Sequence, residues 1–529
     1  MSDRRFSRYC AVAPHHLAAE SGRAVLAEGG NAIEAMLAMA ATIAVVYPHM
    51  NSLGGDGFWL IADRRGRVRY IEACGPAGAN ATIASFREAG HDVIPSRGPL
   101  AALTVPGAVA GFDTAHELAR GMGARLPLAD LLGEAVRHAR EGCKVSASMA
   151  RNQPSELEAL NAAPGFASAF LEDGKLPKAG ALLRQRALAD MIEHIGRAGL
   201  DDFYRGDVGR EIAADLADIG SAVTRRDLET YRAIEREPLS VALALGEVYN
   251  APPPTQGLAS LMILALFERL GVAKAESFEH VHGLIEATKR AFAARNRLVT
   301  DFVHLREDPS DMLTREHLDR EAAAIDMKRA APFGGAVPIG DTVWMGAIDA
   351  KGVAVSYIQS TYWEFGSGCV LPRTGLLMQN RGVSFSLDPK ALNPLEPGRR
   401  PFHTLNPPLA LFKDGRVMSY GAMGGDGQPQ FQAELFTRHV HFGQALHQAV
   451  DAPRFLLGRT WGKTRIELTL ENRFDDALVR ALGRAGHPVL VLDSAYDEAL
   501  GHAGALMRYP DGSIEAAHDP RSDGATLGN

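Results

Sequence analysis

Thr342 stands where a loop-like stretch meets a strand-like stretch. Residues 331–340 read APFGGAVPIG, and residues 342–348 read TVWMGAI. If the bond between Asp341 and Thr342 were cut, Thr342 would carry a hydroxyl nucleophile and a free α-amine. An α-amine has a pKa of roughly 7.7–8.0, so it can accept the hydroxyl proton near neutral pH. Thr is also common in strands, so both interpretations are open at this point.

A glycine pair could supply the other requirement of acyl transfer. Gly424 and Gly425 follow a predicted strand in the stretch GAMGGDG, residues 421–427. The tetrahedral intermediate needs N–H donors for its oxyanion, and a backbone without Cβ atoms can approach a ligand closely. The same letters are also compatible with an ordinary glycine turn.

Other chemistry-bearing motifs are absent or weak. We find no G-x-S-x-G, H-E-x-x-H or P-loop pattern, and the second GGDG, residues 54–57, lacks the further carboxylates of a calcium loop. Three histidine pairs have spacings that direct their side chains apart on a helix: His15/His16, His280/His282 and His439/His441. We therefore predict neither a metal ion nor a cofactor.

Bulk composition excludes several classes of protein. The 529 residues are 46% hydrophobic, 22% charged and 7% aromatic, with a formal net charge of −7. Such a chain has material for a large core. It lacks the basic field and the aromatic platform that nucleic acids or anionic lipids require. We expect a small-molecule partner and no nucleic-acid partner.

The cysteines and apolar segments indicate a cytoplasmic protein. The four cysteines, residues 10, 74, 143 and 369, form no C-x-x-C spacing, which is typical of a reduced intracellular chain. The first 16 residues contain no apolar core of a signal peptide. The most apolar stretch, residues 32–48, contains Glu34 and ends at a proline. It predicts a buried helix, and no membrane partner.

The pattern of elements changes after residue 341. The first two thirds are helix-rich, with predicted helices at 126–143, 155–161, 186–199, 206–219, 256–270 and within 275–330, and with one hairpin at 58–71. The last third predicts a hairpin at 343–359, a strand at 374–380, a hairpin about residues 413–416, helices at 429–448 and 475–486, and a hairpin at 488–516. We interpret this third as one antiparallel β layer with helices beside it.

Taken together, these pieces resemble the γ-glutamyltranspeptidase family of N-terminal-nucleophile hydrolases. The similarity runs through nearly the whole chain, and the joint pattern is specific although no single piece is. It rests on these stretches: GGNAIEAMLA, YPHMNSLGGDGF, LTVPGAVAGF, FYRGDVG, APPPTQG, GDTVWMGAIDAKGVAVSYIQS, FGSG, GRRPFHTLNPPL, GAMGGDGQPQ, DAPRF and HDPRSDGA.

The resemblance implies a fold, a processing event and a set of roles. The family folds as an αββα sandwich (α/β, of the α+β type), and its proenzyme cleaves itself before a Thr. Carried over, the cut separates a large subunit, residues 1–341, from a small one, residues 342–529. The two stay together as a heterodimer, and a dimer of heterodimers is left open. Thr342 would be nucleophile and base, Gly424 and Gly425 the oxyanion hole, and Ser360 a second hydroxyl on the nucleophile.

The chain departs from the family where γ-glutamyl groups are bound. Ile83 stands where the transpeptidases place an Arg for the substrate carboxylate, and Ser384 where they place an Asp for its amine. The family's Ser-Ser pair is replaced by His403-Thr404, and the lid loop is shortened to residues 388–398. A buried Arg–carboxylate pair is charge-assisted, and Ile cannot replace it. We therefore do not expect good γ-glutamyl recognition.

The motifs are similar instead to the family's amidohydrolase branch. Its best-defined activity splits oxamate into oxalate and ammonia in purine-ring catabolism. Oxamate carries a carboxylate next to its amide and needs cationic or hydroxyl donors beside the scissile carbon. The candidates are Arg381, His403 and Thr404, with Tyr362 as a wall; Arg381 and His403 could equally form structural hydrogen bonds.

Two alternatives stay open. One keeps the enzyme class and changes the substrate, to a γ-glutamyl hydrolase or transpeptidase or to a glutaryl-cephalosporin-type acylase. The other changes the class, to an uncleaved relative that binds a small carboxylate.

Overall fold

The computed structural model describes residues 5–151, 154, 156–333, 340–458 and 467–529. Residues 334–339, most of the predicted loop before Thr342, lie outside this set. The helices are α1 (His16–Ala27), α2 (Ala32–Val46), α3 (Ile83–Glu88), α4 (Ala108–Gly121), α5 (Leu128–Glu141), α6 (Ala147–Arg151), α7 (Leu157–Ala162), α8 (Phe166–Phe170), α9 (Arg186–Ala198), α10 (Asp202–Arg205), α11 (Asp207–Asp218), α12 (Arg225–Thr230), α13 (Gly257–Arg269), α14 (Phe278–Leu298), α15 (Arg315–Ala323), α16 (Gln428–Phe436), α17 (Leu446–Asp451) and α18 (Asp476–Ala485).

The strands are short and spread along the whole chain. They are β1 (Arg5–Phe6), β2 (Cys10–Ala13), β3 (Asp56–Ala62), β4 (Val68–Ala73), β5 (Cys143–Lys144), β6 (Leu182–Leu183), β7 (Ile234–Arg236), β8 (Leu239–Ala242), β9 (Gly246–Asn250), β10 (Asp341–Ile348), β11 (Ala354–Tyr362), β12 (Leu409–Phe412), β13 (Val417–Ala422), β14 (Phe455–Gly458), β15 (Glu467–Leu470), β16 (Val489–Val491), β17 (Ala503–Arg508), β18 (Ile514–His518) and β19 (Ala525–Gly528).

Two seven-stranded antiparallel sheets form the centre of the molecule. The first has the order β1-β18-β17-β13-β12-β9-β8, and the second has the order β19-β2-β10-β11-β3-β4-β7. Apolar side chains from both sheets, among them Phe58, Trp344 and Leu506, share one buried cluster. The sheets therefore pack face to face, with the burial of this cluster as the driving force.

Helices cover the outer face of each sheet. α2, α4, α5 and α9 share a core with the second sheet, and α13, α14 and α16 share another with the first. This is the predicted αββα sandwich.

α2 shows how local sequence fits the layers. Every residue of α2 is buried, as an all-round apolar helix requires. Asn31 and Glu34 form a capping box at its start, and both carboxylate oxygens of Glu34 accept backbone N–H groups. The prediction of a buried helix is confirmed. In the described parts of the chain, no helix combines the length and the apolar character needed to cross a bilayer.

Three predictions about the last third are wrong. Residues 374–380 form only isolated bridges, at Leu377 and Met378, and no strand. β16 pairs in parallel with β15 in a separate three-stranded sheet, so the final hairpin is β17–β18. The strands after residue 341 also do not form one layer, because β10, β11 and β19 join the second sheet while β12, β13, β17 and β18 join the first.

Candidate active site

Thr342 lies in β10, in the middle of the second sheet between β2 and β11. It is buried. The pairing of β10 with β11 shifts by one residue between Asp341 and Val343. β11 therefore places Ser360 and Thr361 opposite the single residue Thr342. Such a bulge re-aims side chains and is common beside active sites.

Ser360 joins Thr342 to the next strand of the sheet. It pairs with Asp56 of β3 on its other side, and its Oγ accepts a hydrogen bond from Tyr362 N at 2.7 Å. The structure thus brings the predicted Ser360 to the same end of the sheet as Thr342. A direct role for Ser360 on the nucleophile stays a prediction.

Trp344 fixes β10 against the opposite sheet. Its indole N–H donates to Ser356 Oγ at 2.9 Å. A Cβ on Gly421 of β13 would lie 2.2 Å from Trp344 Cδ1, and one on Gly504 of β17 would lie 2.6 Å from its Cζ3. The two glycines leave room for the indole. β13 therefore approaches β10 closely, and the loop that follows β13 leads into α16, whose first residue contacts Thr342.

Gly424 and Gly425 form that loop. Both have positive φ, +117° and +54°, a backbone region that glycine enters at little cost. Neither N–H donates a hydrogen bond to any described residue. Two free donors at this loop are what an oxyanion hole requires, and the assignment of the pair to that role stays a prediction.

Gln428 is a contact of Thr342, the predicted nucleophile, that the sequence reasoning missed. It begins α16, three residues after Gly425, and its Nε2 donates to Thr342 Oγ1 at 3.2 Å. The motif GGDGQPQ contained this residue, but no local periodicity distinguishes a Gln that meets a hydroxyl 86 positions away.

A buried ion pair between Arg295 and Asp426 anchors the glycine loop to α14. Arg295 of α14 contacts both carboxylate oxygens of Asp426, at 2.8 and 3.2 Å, and also donates to Gln256 Oε1 at 2.7 Å. Gln256 Nε2 in turn donates to the carbonyls of Gly425 and Thr404 at 2.9 and 2.7 Å. This network links the loop to the segment that carries Thr404.

Arg381 is a buried cation without a hydrogen-bond partner. It is 1% exposed, and none of its three side-chain nitrogens forms a hydrogen bond with a described residue. Its Cζ lies 3.8 Å from the centre of the Tyr362 ring, a cation–π contact. Burial lowers the pKa of Arg381 to about 10, so it is charged at neutral pH.

Tyr362 is held in a strained conformation beside this cation. Its φ is +85°, which is costly for a residue with a Cβ and is typical of functional sites. A Cβ on Gly340, two residues before Thr342, would lie 2.9 Å from the Tyr362 ring. The ring therefore lies close both to Arg381 and to the segment that leads into Thr342, and its role as a wall of the substrate site stays a prediction.

His403 and Thr404 are also buried and polar. Thr404 Oγ1 and both ring nitrogens of His403 lack hydrogen bonds to described residues. His403 Nε2 lies 3.3 Å from Asp56 Oδ2, outside hydrogen-bond geometry. Burial, together with the nearby Arg381 and Arg400, lowers the pKa of His403 well below its usual value. His403 is therefore neutral at pH 7 and presents one donor and one acceptor.

Asp56 is a second residue that the sequence reasoning missed. Its Oδ1 accepts from Gly75 N, Gly107 N and Gln379 Nε2 at 3.0–3.1 Å. Burial raises the pKa of Asp56 to about 7, although the charge of Arg381 opposes the rise. Its GGDG motif belongs to one of the stretches that carry the family resemblance, but the sequence assigns Asp56 no role, because its raised pKa arises from burial and distant neighbours that the motif does not show.

A family model for γ-glutamyltranspeptidase matches residues 18–529. The chain belongs to the γ-glutamyltranspeptidase family.

Relatives of this γ-glutamyltranspeptidase-family chain cover it from end to end. It is 51% identical to the oxamate amidohydrolase proenzyme of Klebsiella pneumoniae, over 98% of both chains. It is 38% identical to the glutathione hydrolase-like YwrD proenzyme of Bacillus subtilis, again over 98% of both. The crystal structure of cephalosporin acylase from Bacillus halodurans superposes with a TM-score of 0.90 at 29% identity, covering 100% of this chain and 97% of that one.

These matches settle the class of enzyme. Amidohydrolases, glutathione hydrolases and acylases are all hydrolases of amide C–N bonds, so this family member is such a hydrolase, with the N-terminal-nucleophile fold. The prediction of family, fold and enzyme class is confirmed.

Two of the features in which this member departs from its family, Ile83 and the shortened loop, are packed or hydrogen-bonded against other parts of the protein. Ile83, the first residue of α3, is partly buried against a cluster that includes Val383. The shortened loop is tied to the end of α14, because Asn393 Nδ2 donates to Val299 O at 3.3 Å and Thr300 Oγ1 donates to Leu392 O at 3.2 Å. Ile83 therefore offers no charge for a glutamyl carboxylate, and the hydrogen bonds hold the loop against the end of α14.

The group nearest to a metal-site geometry lies elsewhere. Among the described residues, His282, Glu286 and His487 are buried with possible ligand atoms within 4.8 Å of one another. His282 Nδ1 and His487 Nε2 already share a hydrogen bond of 2.8 Å, and Glu286 pairs with Lys289 at 2.6 Å. None of these bonds involves a residue named in the candidate site around Thr342.

Proposed function

We propose that this protein cleaves itself between Asp341 and Thr342 and then hydrolyses a small amide that carries a carboxylate next to its carbonyl. Oxamate is the best candidate, with oxalate and ammonia as products. The observation that carries the proposal is Arg381, a buried guanidinium that donates no hydrogen bond to any described residue. Burying a charge without compensation is costly, so a bound anion is its natural partner.

Self-cleavage would begin with Thr342 Oγ. The oxygen attacks the carbonyl carbon of Asp341, and the oxyanion that forms is stabilised by backbone N–H donors. The C–N bond breaks and leaves an ester on Thr342 Oγ with a free α-amine. Water then hydrolyses the ester and leaves Asp341 as a new carboxyl terminus.

Turnover repeats this chemistry on the substrate amide. The α-amine of Thr342 takes the Oγ proton while Oγ attacks the amide carbon. Gly424 and Gly425 N–H groups hold the oxyanion, and its collapse expels ammonia, protonated by the same amine. Water attacks the resulting oxalyl ester with the amine as base, which releases oxalate and restores Thr342.

Recognition would rest on three groups beside the nucleophile. Arg381 pairs with the substrate carboxylate, preferably with two parallel N–H···O bonds, and His403 and Thr404 supply uncharged donors. Because the carboxylate of oxamate is bonded directly to the reacting carbon, its cation must lie next to the nucleophile. The Tyr362 ring contacts Arg381 and also lies close to Gly340, two residues before Thr342, which supports a short substrate.

The position of β10 supports a lasting heterodimer. Cleavage before Thr342 would free one end of a strand that has hydrogen-bonded neighbours on both sides, β2 from the large piece and β11 from the small one. We expect the two pieces to stay associated. The four described cysteines are unpaired and buried, which supports the expectation of a cytoplasmic, reducing environment.

Denaturing electrophoresis with mass spectrometry tests the processing step. We expect two bands and a new amino terminus at Thr342. Thr342→Ala should stay whole and inactive, whereas Thr342→Ser, which keeps both groups, should still process. Wild-type protein that turns over substrate as an intact chain would overturn the proposal, and so would tight binding of oxamate without any turnover.

A substrate panel on the processed protein tests the recognition step. Ammonia release from oxamate is compared with release of the chromophore from a γ-glutamyl anilide and of the side chain from a glutaryl-cephalosporin. We expect kcat/KM to be largest for oxamate. A preference for either larger amide would favour the activities named for the glutathione hydrolase and acylase relatives.

A further inference from the structure

A chain of buried side-chain amides ends on the nucleophile. Ala251 N donates to Asn250 Oδ1 at 2.8 Å, and Asn250 Nδ2 donates to Asn406 Oδ1 at 3.2 Å. Asn406 Nδ2 donates to Gln428 Oε1 at 3.1 Å, and Gln428 Nε2 donates to Thr342 Oγ1 at 3.2 Å. All three amide side chains are fully buried. We call this series the amide relay.

Backbone groups fix the direction of the amide relay. The N–H of Ala251 can only donate, so the oxygen of Asn250 must face it and its NH₂ must face Asn406. Asn406 Nδ2 also donates to the carbonyl of Thr404 at 2.9 Å, a group that can only accept. The NH₂ of Asn406 therefore faces Gln428, and the NH₂ of Gln428 faces Thr342.

This direction assigns the proton flow at Thr342. Because Gln428 presents a donor, the Thr342 hydroxyl cannot lose its proton to it. The proton must go to another acceptor, and in the processed enzyme the α-amine of Thr342 is that acceptor. The relay thus leaves the base role to the amine and leaves Gln428 free to stabilise negative charge.

We propose that Gln428 is a catalytic residue whose amide N–H stabilises the charge on Thr342 Oγ whenever a bond to that oxygen forms or breaks. The inference rests on the proposed function, because it takes Thr342 as the nucleophile. As Oγ transfers its proton to the amine and attacks, the hydrogen bond from Gln428 strengthens toward a charge-assisted one. When water hydrolyses the acyl ester, Oγ leaves as an alkoxide, and the same N–H stabilises it until the ammonium returns its proton.

The neutral, nearly isosteric variant Gln428→Met removes the donor. Losing one preorganised donor costs about 10²–10³-fold in rate in known cases, and the 3.2 Å contact here places the expected loss at about 10–10²-fold. We expect that loss in the rate of self-cleavage and in kcat on oxamate, with little change in KM. Loss of leaving-group stabilisation should also let the acyl-enzyme accumulate, which mass spectrometry of quenched reactions detects.

The pH dependence of self-cleavage in Gln428→Glu tests the catalytic role, because a purely structural role of Gln428 would not change it. An ionised carboxylate has no donor for Thr342, but a protonated one donates O–H to Thr342 while its carbonyl accepts from Asn406, which reproduces the pattern of the amide. The self-cleavage rate of Gln428→Glu relative to wild type should therefore recover as pH falls. The relative rate of Gln428→Met should stay flat over the same range.

Two further variants separate catalysis from folding. Asn406→Asp removes the donor that orients Gln428, so it should slow self-cleavage by a smaller factor than Gln428→Met. Gln430→Met is the matched control, because Gln430 is a buried glutamine of the same helix whose amide bonds Leu457 O and Asp426 O instead. It should lose stability but process within about threefold of wild type, as for a site outside the chemistry.

The outcomes are distinct. Wild-type rates in Gln428→Met, or equal losses in Gln428→Met and Gln430→Met, would overturn the role of Gln428 while an inert Thr342→Ala would still support the proposed function. Self-cleavage of Thr342→Ala at the wild-type rate would instead remove the proposed function, and the inference with it.

Discussion

Two buried arginines of this molecule both lie over an aromatic ring but differ in their hydrogen bonds. Arg295 and Arg381 are both almost fully buried, and each lies over an aromatic ring, Phe292 at 3.9 Å and Tyr362 at 3.8 Å. Arg295 donates to Asp426, Gln256 and Asn296. Arg381 donates to no described residue.

Under the proposed function, the difference separates a structural charge, Arg295, from a charge kept for a ligand, Arg381. Arg295 is neutralised within the protein and holds the loop of Gly424 and Gly425 in place through Asp426 and Gln256. Arg381 forms no hydrogen bond with a described residue, and within the protein its charge acts through space on the buried carboxyl of Asp56. A site that binds an anion needs both, a rigid loop for the oxyanion and an unsatisfied cation for the carboxylate.

The largest expected effect comes from breaking the satisfied pair. Arg295→Met leaves Asp426 as an uncompensated buried charge, which should destabilise the fold by about 3–5 kcal/mol. Chemical unfolding of the uncleaved Thr342→Ala protein, with and without the second substitution, measures this. Adding Asp426→Leu should recover part of the loss, and a single variant as stable as its parent would contradict the structural role.

Removing the charge of Arg381 should have the opposite result, a loss of activity without a loss of stability. Arg381→Met should lower kcat/KM for oxamate by about 10²–10³-fold, as for a truncated buried charge contact. In the Thr342→Ala background it should leave the free energy of unfolding unchanged or higher, because a charge without a partner has been removed. Arg381→Lys keeps the charge but not the planar fork and should lie between. If Arg381→Met lost stability but kept its activity, Arg381 would be a structural charge like Arg295.

Anion binding should test directly whether Arg381 is available to a ligand. Oxalate at about 100 times its Kd should stabilise the Thr342→Ala protein by about 2.7 kcal/mol, seen as a rise in Tm with oxalate concentration. Oxamide, a neutral molecule of the same shape, should produce little rise. Arg381→Met should abolish the oxalate effect, and an undiminished rise in that variant would place the anion elsewhere.

A further effect is a pH dependence from Asp56, a buried carboxyl whose pKa is raised by burial and lowered by the charge of Arg381. Its pKa is raised to about 7 in the fold, against about 3.9 in an unfolded chain. Folding therefore takes up a proton between about pH 4 and 7, and the stability contributed by Asp56 falls as pH rises through this window.

Asp56→Asn should remove that dependence. In the Thr342→Ala background, the Tm of Asp56→Asn relative to its parent should increase from pH 5 to pH 8. The same comparison can be made with Arg381→Met present in both proteins. The window should then extend above pH 7, because the guanidinium lowers the pKa of Asp56. A difference in Tm that is independent of pH would show that Asp56 does not titrate in this range.

Local pattern was enough for much of the fold. The apolar run of residues 32–48 predicted α2, and alternation about short turns predicted the β3–β4, β10–β11 and β12–β13 hairpins. The order of motifs identified the αββα sandwich and the family. The helix and the hairpins depend on neighbours a few residues apart, whose periods of 2 and 3.6 can be read from the letters, whereas the sandwich was implied by the resemblance to the family.

The amino-acid sequence by itself determined the candidate nucleophile, the glycine pair and the elements that carry them. Only the tertiary structure decided which strands after residue 341 join which sheet, that Arg381 stays unpaired while Arg295 is paired, and that Gln428 and Asp56 enter the site. The physical reason is separation along the chain. Gln428 meets Thr342 across 86 residues and Arg295 meets Asp426 across 131, and contacts over such distances follow from how the layers pack rather than from any local pattern.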